Sequence, residues 1–469
     1  MTRVVIVGAG ISGLATAYAV EQLAKQAELE VETLVVEKQQ RTGGKIWSIQ
    51  EEGYLCEWGP NGFLDSKPMT LDLCQKLGIS DQLLRSNDNA RKRFIYSEQT
   101  LHRLPENGPS FLKSKLISWP GKLRLACEPL VAKRTDPSDE TLAEFGRRRL
   151  GTEALNKLIS PMVSGIFAGD PETMSLKSCF PRIYELEQEH GGLIKAMVKL
   201  TKKKRAEQKA GKVVASAAGP GGVLTSFERG IQQLSDGAQA ALNGELKTGS
   251  AVLKVEPKQG GYLLRLENGE QLEADIVVTA SPSYAVAGML DECNAKAAEL
   301  LRQIPYATMN VVCFGYQRER IDFDLNGFGY LTPKAEGRST LGTLWDSSIF
   351  PNRAPQGKVL LRSMMGGATN MAAIDLSDDE VKARTMADLR QIMGVTAEPE
   401  FVRIFRHNHA IPQYTRGHAA RLQALDEALT KNPGLILTGN AFYGVGLNDC
   451  VNASNLTAAK VVEQLKSRR

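Results

Sequence analysis

Long apolar runs are missing from this 469-residue chain, and none approaches the about 18–20 residues that a membrane-spanning helix requires. That excludes an integral helical membrane protein, so any bilayer is met from the side. Histidine is scarce, with five in all. His407 and His409 are the only close pair; their spacing predicts one shared strand face, with no third ligand to complete a metal site. The seven cysteines (Cys56, Cys74, Cys127, Cys179, Cys293, Cys313, Cys450) are scattered, odd in number and never arranged as CxxC. This excludes a disulfide framework and a cysteine-based metal site. No secretory leader is recognisable, and together these features predict an intracellular, cytoplasmic protein with reduced thiols. Neither sign of charge dominates: the net charge of +5 favours anionic substrates or membrane surfaces slightly and does not point to nucleic acid. There is no internal repeat.

What is present begins at the first residues. Arg3-Val-Val-Ile-Val7 runs into Gly8-Ala9-Gly10-Ile11-Ser12-Gly13. Val4 to Val7 read as a buried parallel strand, and Leu14 onward reads as a helix. Gly8 permits the tight turn, Gly10 lets backbone approach a pyrophosphate, and Gly13 allows close packing of helix on strand. The helix then offers the phosphates free N–H groups and its positive dipole end. A second strand, Glu32 to Glu37, ends in an acid suited to a ribose hydroxyl. Lys38 and then Arg41-Thr42-Gly43-Gly44-Lys45 follow it, which points to FAD among the dinucleotides. The alternative is a purely structural strand–helix turn.

Nucleotide-binding signals recur far along the chain. One is Thr248 to Val255, including Val252, followed by a hairpin from Tyr262 to Leu272 with Asn268-Gly269 at its turn. The strand Asp275 to Ala280 closes that block. Another is Gly434 to Asn440, including Gly439, ahead of a terminal helix expected from Asn452. These signals predict an α/β fold of mixed α+β character. Residues 1–90, 210–283 and 401–469 form a discontinuous nucleotide-binding domain. Residues 91–209 form a helical domain, including an amphipathic helix from Thr141 to Leu150. Residues 284–400 form a sheet-based substrate domain, with strands at Met309–Gly315 and Val359–Met365. It also holds a helix from Ser377 to Met393, opened by a Ser377/Glu380 capping box. The run Lys202 to Lys209 and the small residues Ala215 to Gly222 predict a solvated helix end and a loop, with polyanion binding as the minor alternative.

The glycine-rich turn, Glu37, Arg41 to Lys45 and Glu57-Trp58-Gly59-Pro60-Asn61-Gly62 resemble the FAD-dependent amine oxidase superfamily, with its para-hydroxybenzoate hydroxylase-like FAD-binding domain. Further segments resemble the oxygen-dependent protoporphyrinogen oxidases within it, in the family's order along nearly the whole chain. They are Lys92 to Tyr96, Ser164 to Asp170, Ser178 to Pro181, Asn326 to Leu331, Ile411 to Tyr414 and Gly444 to Cys450. The resemblance implies FAD held non-covalently by the residues of the first turn, by Glu37, Lys38, Arg41, Gly43, Gly44 and Lys45, and by Gly59 to Gly62. Val252, Ala280, Gly439, Val445, Gly446 and Leu447 complete that set. It implies oxidation of protoporphyrinogen IX to protoporphyrin IX in heme biosynthesis: six electrons are removed through FAD, and oxygen or another acceptor takes them, giving hydrogen peroxide with oxygen. No general base is assigned, because the cofactor supplies the reactivity. The alternatives are coproporphyrinogen III oxidation and, from another class, an amine oxidase or carotenoid desaturase.

A porphyrinogen is a large apolar ring bearing propionates, so its pocket should be apolar with one or two cations. By the resemblance, Arg93 binds a propionate, Leu331 and Met364 line the ring, Gly165 lets backbone approach it, and Asn61 and Lys67 supply polar contacts. Each also has a structural reading: an arginine paired with an acid, plain core, or a turn residue. Lys67 matches a lysine of some coproporphyrinogen-oxidising relatives. The segment Ser110 to Leu125 places Phe111, Leu112, Leu116, Ile117 and Trp119 among Lys113, Lys115, Lys122 and Arg124. It reads either as a peripheral contact with the cytoplasmic membrane or as internal packing. A homodimer is compatible with the family.

Overall fold

The computed structural model describes residues 2–209 and 222–468. Strand Thr2–Val7 buries Val4 to Val7 without a break because both its faces are covered. It pairs in parallel with Val31–Val36 and with Ile276–Thr279. Glu245–Lys247 and Leu435–Leu437 add the two edges, giving a five-stranded parallel sheet assembled from distant stretches of chain. On one face, Val4, Ile6 and Val35 pack against helix Ile11–Gln26 and the last helix, Leu447–Ser467. On the other, Val5, Val7 and Val36 meet an antiparallel three-stranded sheet. That sheet is turned at Asn268-Gly269, where Gly269 adopts φ +84°.

The last helix starts at Leu447, not at Asn452 as expected. Gly446 is its N-cap, and Leu447 and Asn448 are already buried in its first turn. Polar Asn448 and Asp449 hide that start from a hydrophobic pattern.

A second sheet has seven strands, in the order Phe401–Pro412, Tyr306–Gln317, Lys358–Gly366, Thr340–Leu344, Gly329–Leu331, Arg93–Ser97, Thr100–Arg103. Three of these strands lie outside the 284–400 stretch. Residues 93–103 were expected among helices and 401–412 with the nucleotide-binding segments. Their partners are far along the chain, so local pattern did not reveal the pairing. One face of this sheet, with Tyr96, Phe314, Tyr330 and Trp345, is covered by helix Asp378–Met393 through Val381, Leu389 and Ile392. That helix begins with the expected Ser377/Glu380 capping box.

Residues 108–209 are helical. Thr141 and Glu144 form a reciprocal cap on Leu142–Arg149, whose Phe145 packs with Leu155, Val163 and Phe167. Arg149, wholly buried, bridges Glu128 at 2.9 Å and Glu187 at 2.8 Å. Glu128 also accepts the backbone N–H groups of Leu193 and Ile194, fixing the start of helix Leu193–Lys209. Residues 202–209 end that helix, and of the loop expected over 215–222 only Gly222 is among the described residues.

The segment 110–125 divides the two readings given to it. Leu116 and Ile117 are buried against Ile95 and Leu331. Lys122 is buried too, its Nζ donating to the carbonyls of Leu112 at 2.8 Å and Ser114 at 2.7 Å. Leu112, Trp119, Leu123 and Leu130 remain exposed. No helix among the described residues is long and apolar enough to cross a membrane.

Candidate functional site

The C-terminal end of strand Thr2–Val7 is where the glycine motifs converge. A Cβ on Gly13 would stand 1.8 Å from the Gly8 carbonyl oxygen and 3.3 Å from Ala280 Cβ, so helix and strand can approach only with glycine there. Gly8, at φ +107°, makes the turn. Gly10 differs: its nearest neighbour to a Cβ would be Gly44 Cα at 3.9 Å, which leaves open space over the helix end. Gly10 bridges to Gly43, and the Gly43 N–H donates to the Ala9 carbonyl at 2.8 Å. Gly439 is similarly open, with Ser12 Oγ 4.0 Å and the Ala280 carbonyl oxygen 3.9 Å from its Cβ position.

Two helices begin at this place, Ile11–Gln26 at Gly10 and Leu447–Ser467 at Gly446. Neither has a side-chain cap, although five helices of residues 108–209 and 378–393 do. Uncapped N–H groups beside a glycine cradle suit a diphosphate. Glu37 ends the adjoining strand, buried, with one carboxylate oxygen accepting Ala9 N–H at 2.8 Å and the other Gln39 N–H at 2.9 Å. It thus holds the glycine turn. Val252, also expected here, is buried in the core beneath the antiparallel sheet.

Arg41 braces the next turn. Its guanidinium lies over Trp47 at 4.1 Å and Trp58 at 5.2 Å and donates to the carbonyls of Thr42 and Gly44. Lys45 crosses to the second sheet, donating to the carbonyls of His409 and Ala410, and burial lowers its pKa to about 8. His407 rests on Trp58 and hydrogen-bonds its carbonyl at 2.9 Å; burial lowers its pKa to about 4, so it is neutral near pH 7. His409 rests instead on Tyr284, and a register shift between Met309 and Ala307 separates the two histidines' settings. No metal-binding cluster of three or more His, Cys, Asp or Glu occurs among the described residues.

The loop Glu57 to Gly62 joins the two sheets through buried charge. Arg353 meets Glu57 at 2.9 Å, and Arg362 meets Asp346 at 2.8 Å. Arg362 also donates to the Gly59 carbonyl at 2.9 Å and the Glu57 carbonyl at 3.2 Å. Asn61 donates to Asp346 at 3.0 Å, so its side chain serves this network and does not reach outward as a substrate contact. Burial raises the pKa of both Glu57 and Asp346. The Glu57 motif was visible in sequence, but nothing local marked Arg353, Arg362 or Asp346.

Cross-strand register brings several expected substrate residues onto one face of the seven-stranded sheet. Arg93, Gly329, Leu344 and Arg362 form one lateral row; Ile95, Leu331, Gly342 and Met364 form the next. Helix Ser160–Phe167 lies against the second row, with the Cβ position of Gly165 2.9 Å from Leu331 Cδ1. Arg93 is half-buried, and its guanidinium stands 5.2 Å from the Phe328 ring. Among the described residues no carboxylate pairs with it, and burial lowers its pKa. Lys67 stands apart: it is paired with Asp449 at 2.6 Å and largely exposed. Cys450 is buried in the last helix, with Sγ 4.0 Å from the Gly444 carbonyl oxygen.

Residues 11–462 match the family described as flavin containing amine oxidoreductase. The chain is 33% identical to a coproporphyrinogen III oxidase of Bacillus subtilis, over 99% of both chains. It is 34% identical to a chloroplastic protoporphyrinogen oxidase of Nicotiana tabacum, over 97% of this chain and 85% of that one. A crystal structure from an Exiguobacterium species, assigned to protoporphyrinogen oxidase, superposes with a TM-score of 0.84 at 27% identity, over 99% of both chains. Cyclohexylamine oxidase of Brevibacterium oxydans shares the fold at a TM-score of 0.70 and 18% identity, over 99% of both chains.

Proposed function

Because this chain belongs to the flavin-containing amine oxidoreductases, we propose that it oxidises a porphyrinogen to its porphyrin in heme biosynthesis, with protoporphyrinogen IX as substrate and non-covalent FAD as cofactor. It is a flavin-dependent oxidoreductase, and the names of its relatives support a porphyrinogen as the class of substrate.

The observation that carries the reading is Arg93, a half-buried cation with no acid partner among the described residues. It shares a sheet face with Leu331 and Met364, across from Gly165. An apolar ring with a propionate suits that combination: the guanidinium fork pairs the carboxylate, and the leucine and methionine accept the ring. Gly10, Gly43, Gly44, Gly439 and the two uncapped helix starts would hold the diphosphate, and Glu37 the ribose. The chemistry that FAD supplies when bound is two-electron oxidation at substrate carbon, three rounds of which remove six electrons, with oxygen as the final acceptor. The chain's own residues orient the ring and keep water from it; no side chain is needed to hold a proton in the reaction.

Coproporphyrinogen III is the second reading, favoured by the relative that matches over 99% of both chains. The test is anaerobic addition of each purified porphyrinogen to the flavin-loaded protein. Bleaching of the flavin absorbance by either, and its return with oxygen, supports the function; no bleaching by either overturns it.

On this reading the flavin belongs to the unit built around the five-stranded sheet and the porphyrinogen to the seven-stranded sheet, whose strands include residues 93–103 and 401–412. The enzyme works in the cytoplasm and meets the cytoplasmic membrane through exposed Leu112, Trp119, Leu123 and Leu130, with Lys113 and Lys115 beside them. Sedimentation with anionic vesicles at low and high salt tests this contact; protein left in the supernatant in both refutes it.

A further inference from the structure

Strand Phe401–Pro412 is followed by two buried side chains, Gln413 and Tyr414, that have no part in either proposed binding site. They bond to different halves of the molecule. Gln413 Nε2 donates at 2.8 Å to the carbonyl of Phe167, the last residue of helix Ser160–Phe167. That helix brings Gly165 against Leu331 on the substrate face. Ala168 closes it in a left-handed turn at φ +50°, and the Ala368 N–H holds the Ala168 carbonyl at 2.7 Å. Beside Gln413, the Tyr414 hydroxyl donates to the Asn440 carbonyl at 2.5 Å and accepts the Gly444 N–H at 2.9 Å. Burial raises its pKa, so the hydroxyl keeps the proton it donates. Asn440 and Gly444 belong to the loop that runs from Gly439, beside Ser12 and Ala280, to Gly446, the N-cap of the last helix. Val445 of that loop packs on the cluster that contains Phe167. The backbone joining the two side chains is itself anchored: the Gln413 N–H donates to the Pro305 carbonyl and the Tyr414 carbonyl accepts the Ser175 N–H, both at 2.8 Å.

We propose that Gln413 and Tyr414 are positioning residues that tie the helix on the substrate face to the loop on the flavin side, so that each ligand tightens the other. The proposal rests on the porphyrinogen reading and deepens it. Tyr414 holds the loop at two points and so sets the uncapped helix start given to the diphosphate. Gln413, one residue away, sets the end of helix Ser160–Phe167 and with it the Gly165–Leu331 contact given to the ring. A flavin that orders the loop holds Tyr414, and through the anchored dipeptide it holds the helix. The coupling is reciprocal: a porphyrin strengthens flavin binding by the same factor as flavin strengthens porphyrin binding.

The test compares wild type, Tyr414→Phe and Gln413→Met. Tyr262→Phe is the control: its hydroxyl donates to the Pro433 carbonyl at 2.9 Å and bonds to neither segment. Flavin Kd is measured by equilibrium dialysis alone and with protoporphyrin IX or coproporphyrin III, and KM is measured on the flavin-loaded proteins. In wild type, the porphyrin product should lower the flavin Kd about fivefold or more. Tyr414→Phe should raise the flavin Kd about tenfold, as for loss of its two hydrogen bonds, and bring the porphyrin effect towards one. Gln413→Met should leave the flavin Kd alone unchanged, raise KM, and also bring the porphyrin effect towards one. Tyr262→Phe should match wild type throughout. Oxidation of a porphyrinogen by a wild type whose flavin Kd its porphyrin does not move overturns the link, and so does a porphyrin effect undiminished in both variants. Gln413→Met also removes the unpartnered Oε1, so it decides the matter if Tyr414→Phe folds poorly. If neither porphyrinogen is oxidised and neither porphyrin binds, the functional reading fails. The flavin arm then still judges Tyr414: a tenfold gap from Tyr262→Phe supports its part, and equal values overturn it.

Discussion

Replacing Arg353 with methionine tests whether the buried charges behind the Glu57–Gly62 loop behave as a unit. Both Arg353 and Glu57 are wholly buried and 2.9 Å apart. Removing one partner of such a pair costs about 3–5 kcal/mol, because a charge is left without compensation in a dry place. Two features place this site at the low end. Glu57 keeps hydrogen bonds from Ser48 Oγ at 2.6 Å and the Ile231 N–H at 3.0 Å. In addition, Arg353 Nε and Nη1 have no hydrogen-bond partners, so methionine removes two unsatisfied donors. The expected loss at pH 8 is about 3 kcal/mol.

The loss should also depend on pH with a definite sign. Burial already raises the Glu57 pKa above 4.5, and loss of Arg353 removes the largest influence lowering it. An acid whose folded pKa is raised binds more protons folded than unfolded, so stability falls as pH rises above the unfolded pKa. Arg353→Met should therefore approach wild type towards pH 5 and separate from it towards pH 8. Glu57→Gln strands an arginine that cannot give up its proton, and its loss should stay flat over the same range. Urea denaturation of the flavin-loaded proteins at pH 5, 6.5 and 8 measures this. Equal, pH-independent losses in the two variants would refute the argument.

Arg93→Ala should raise the KM for porphyrinogen by about ten- to a hundredfold with flavin content unchanged, the value of about 1.5–3 kcal/mol for a charge-assisted contact; steady-state kinetics checks it, and unaltered KM places Arg93 outside the site. Glu37→Ala should weaken flavin retention by more than a single ribose contact, because it also leaves the Ala9 and Gln39 N–H groups without their acceptor; equilibrium dialysis gives the change in Kd. Gly13→Ala should yield little folded protein, since its methyl would meet the Gly8 carbonyl oxygen at 1.8 Å. Gly10→Leu, by contrast, should fold but lack flavin, its side chain filling the open cradle. The absorbance ratio of flavin to protein, measured after purification, separates those last two outcomes.

The nucleotide half was legible where sequence neighbours are also neighbours in space. The Gly8 to Gly13 turn, the Asn268-Gly269 hairpin and the Ser377 cap depend on local chemistry, and each formed as expected. What escaped is non-local. Arg93 sits in a strand because Gly329–Leu331 pairs with it, and no alternation within Arg93-Phe-Ile-Tyr96 identifies that partner. Asn61 read as a turn or contact residue, yet its amide is taken by Asp346, whose place depends on Arg362 in another strand. Lys67 read as a substrate cation and is paired with Asp449. In the segment 110–125 the composition was right for a lipid surface, but tertiary packing turned Leu116, Ile117 and Lys122 inward.

The five-stranded sheet sets a timetable for synthesis. Val4 pairs with Ile276, and Val277 with Leu435, so the first strand waits for about 270 residues to be made before its second neighbour exists. At about 5–20 residues per second, that leaves its valines and isoleucine with one open side for some tens of seconds on the ribosome. Pairings so distant along the chain also fold slowly. The last helix, whose first turn packs with Ile11 at the glycine turn, is made after nearly everything else. Under the proposed site, flavin capture would therefore act as a completion signal: a chain cut anywhere before Leu447 would lack one of the two helix starts given to the diphosphate, and yellow colour would mark a molecule folded to its end.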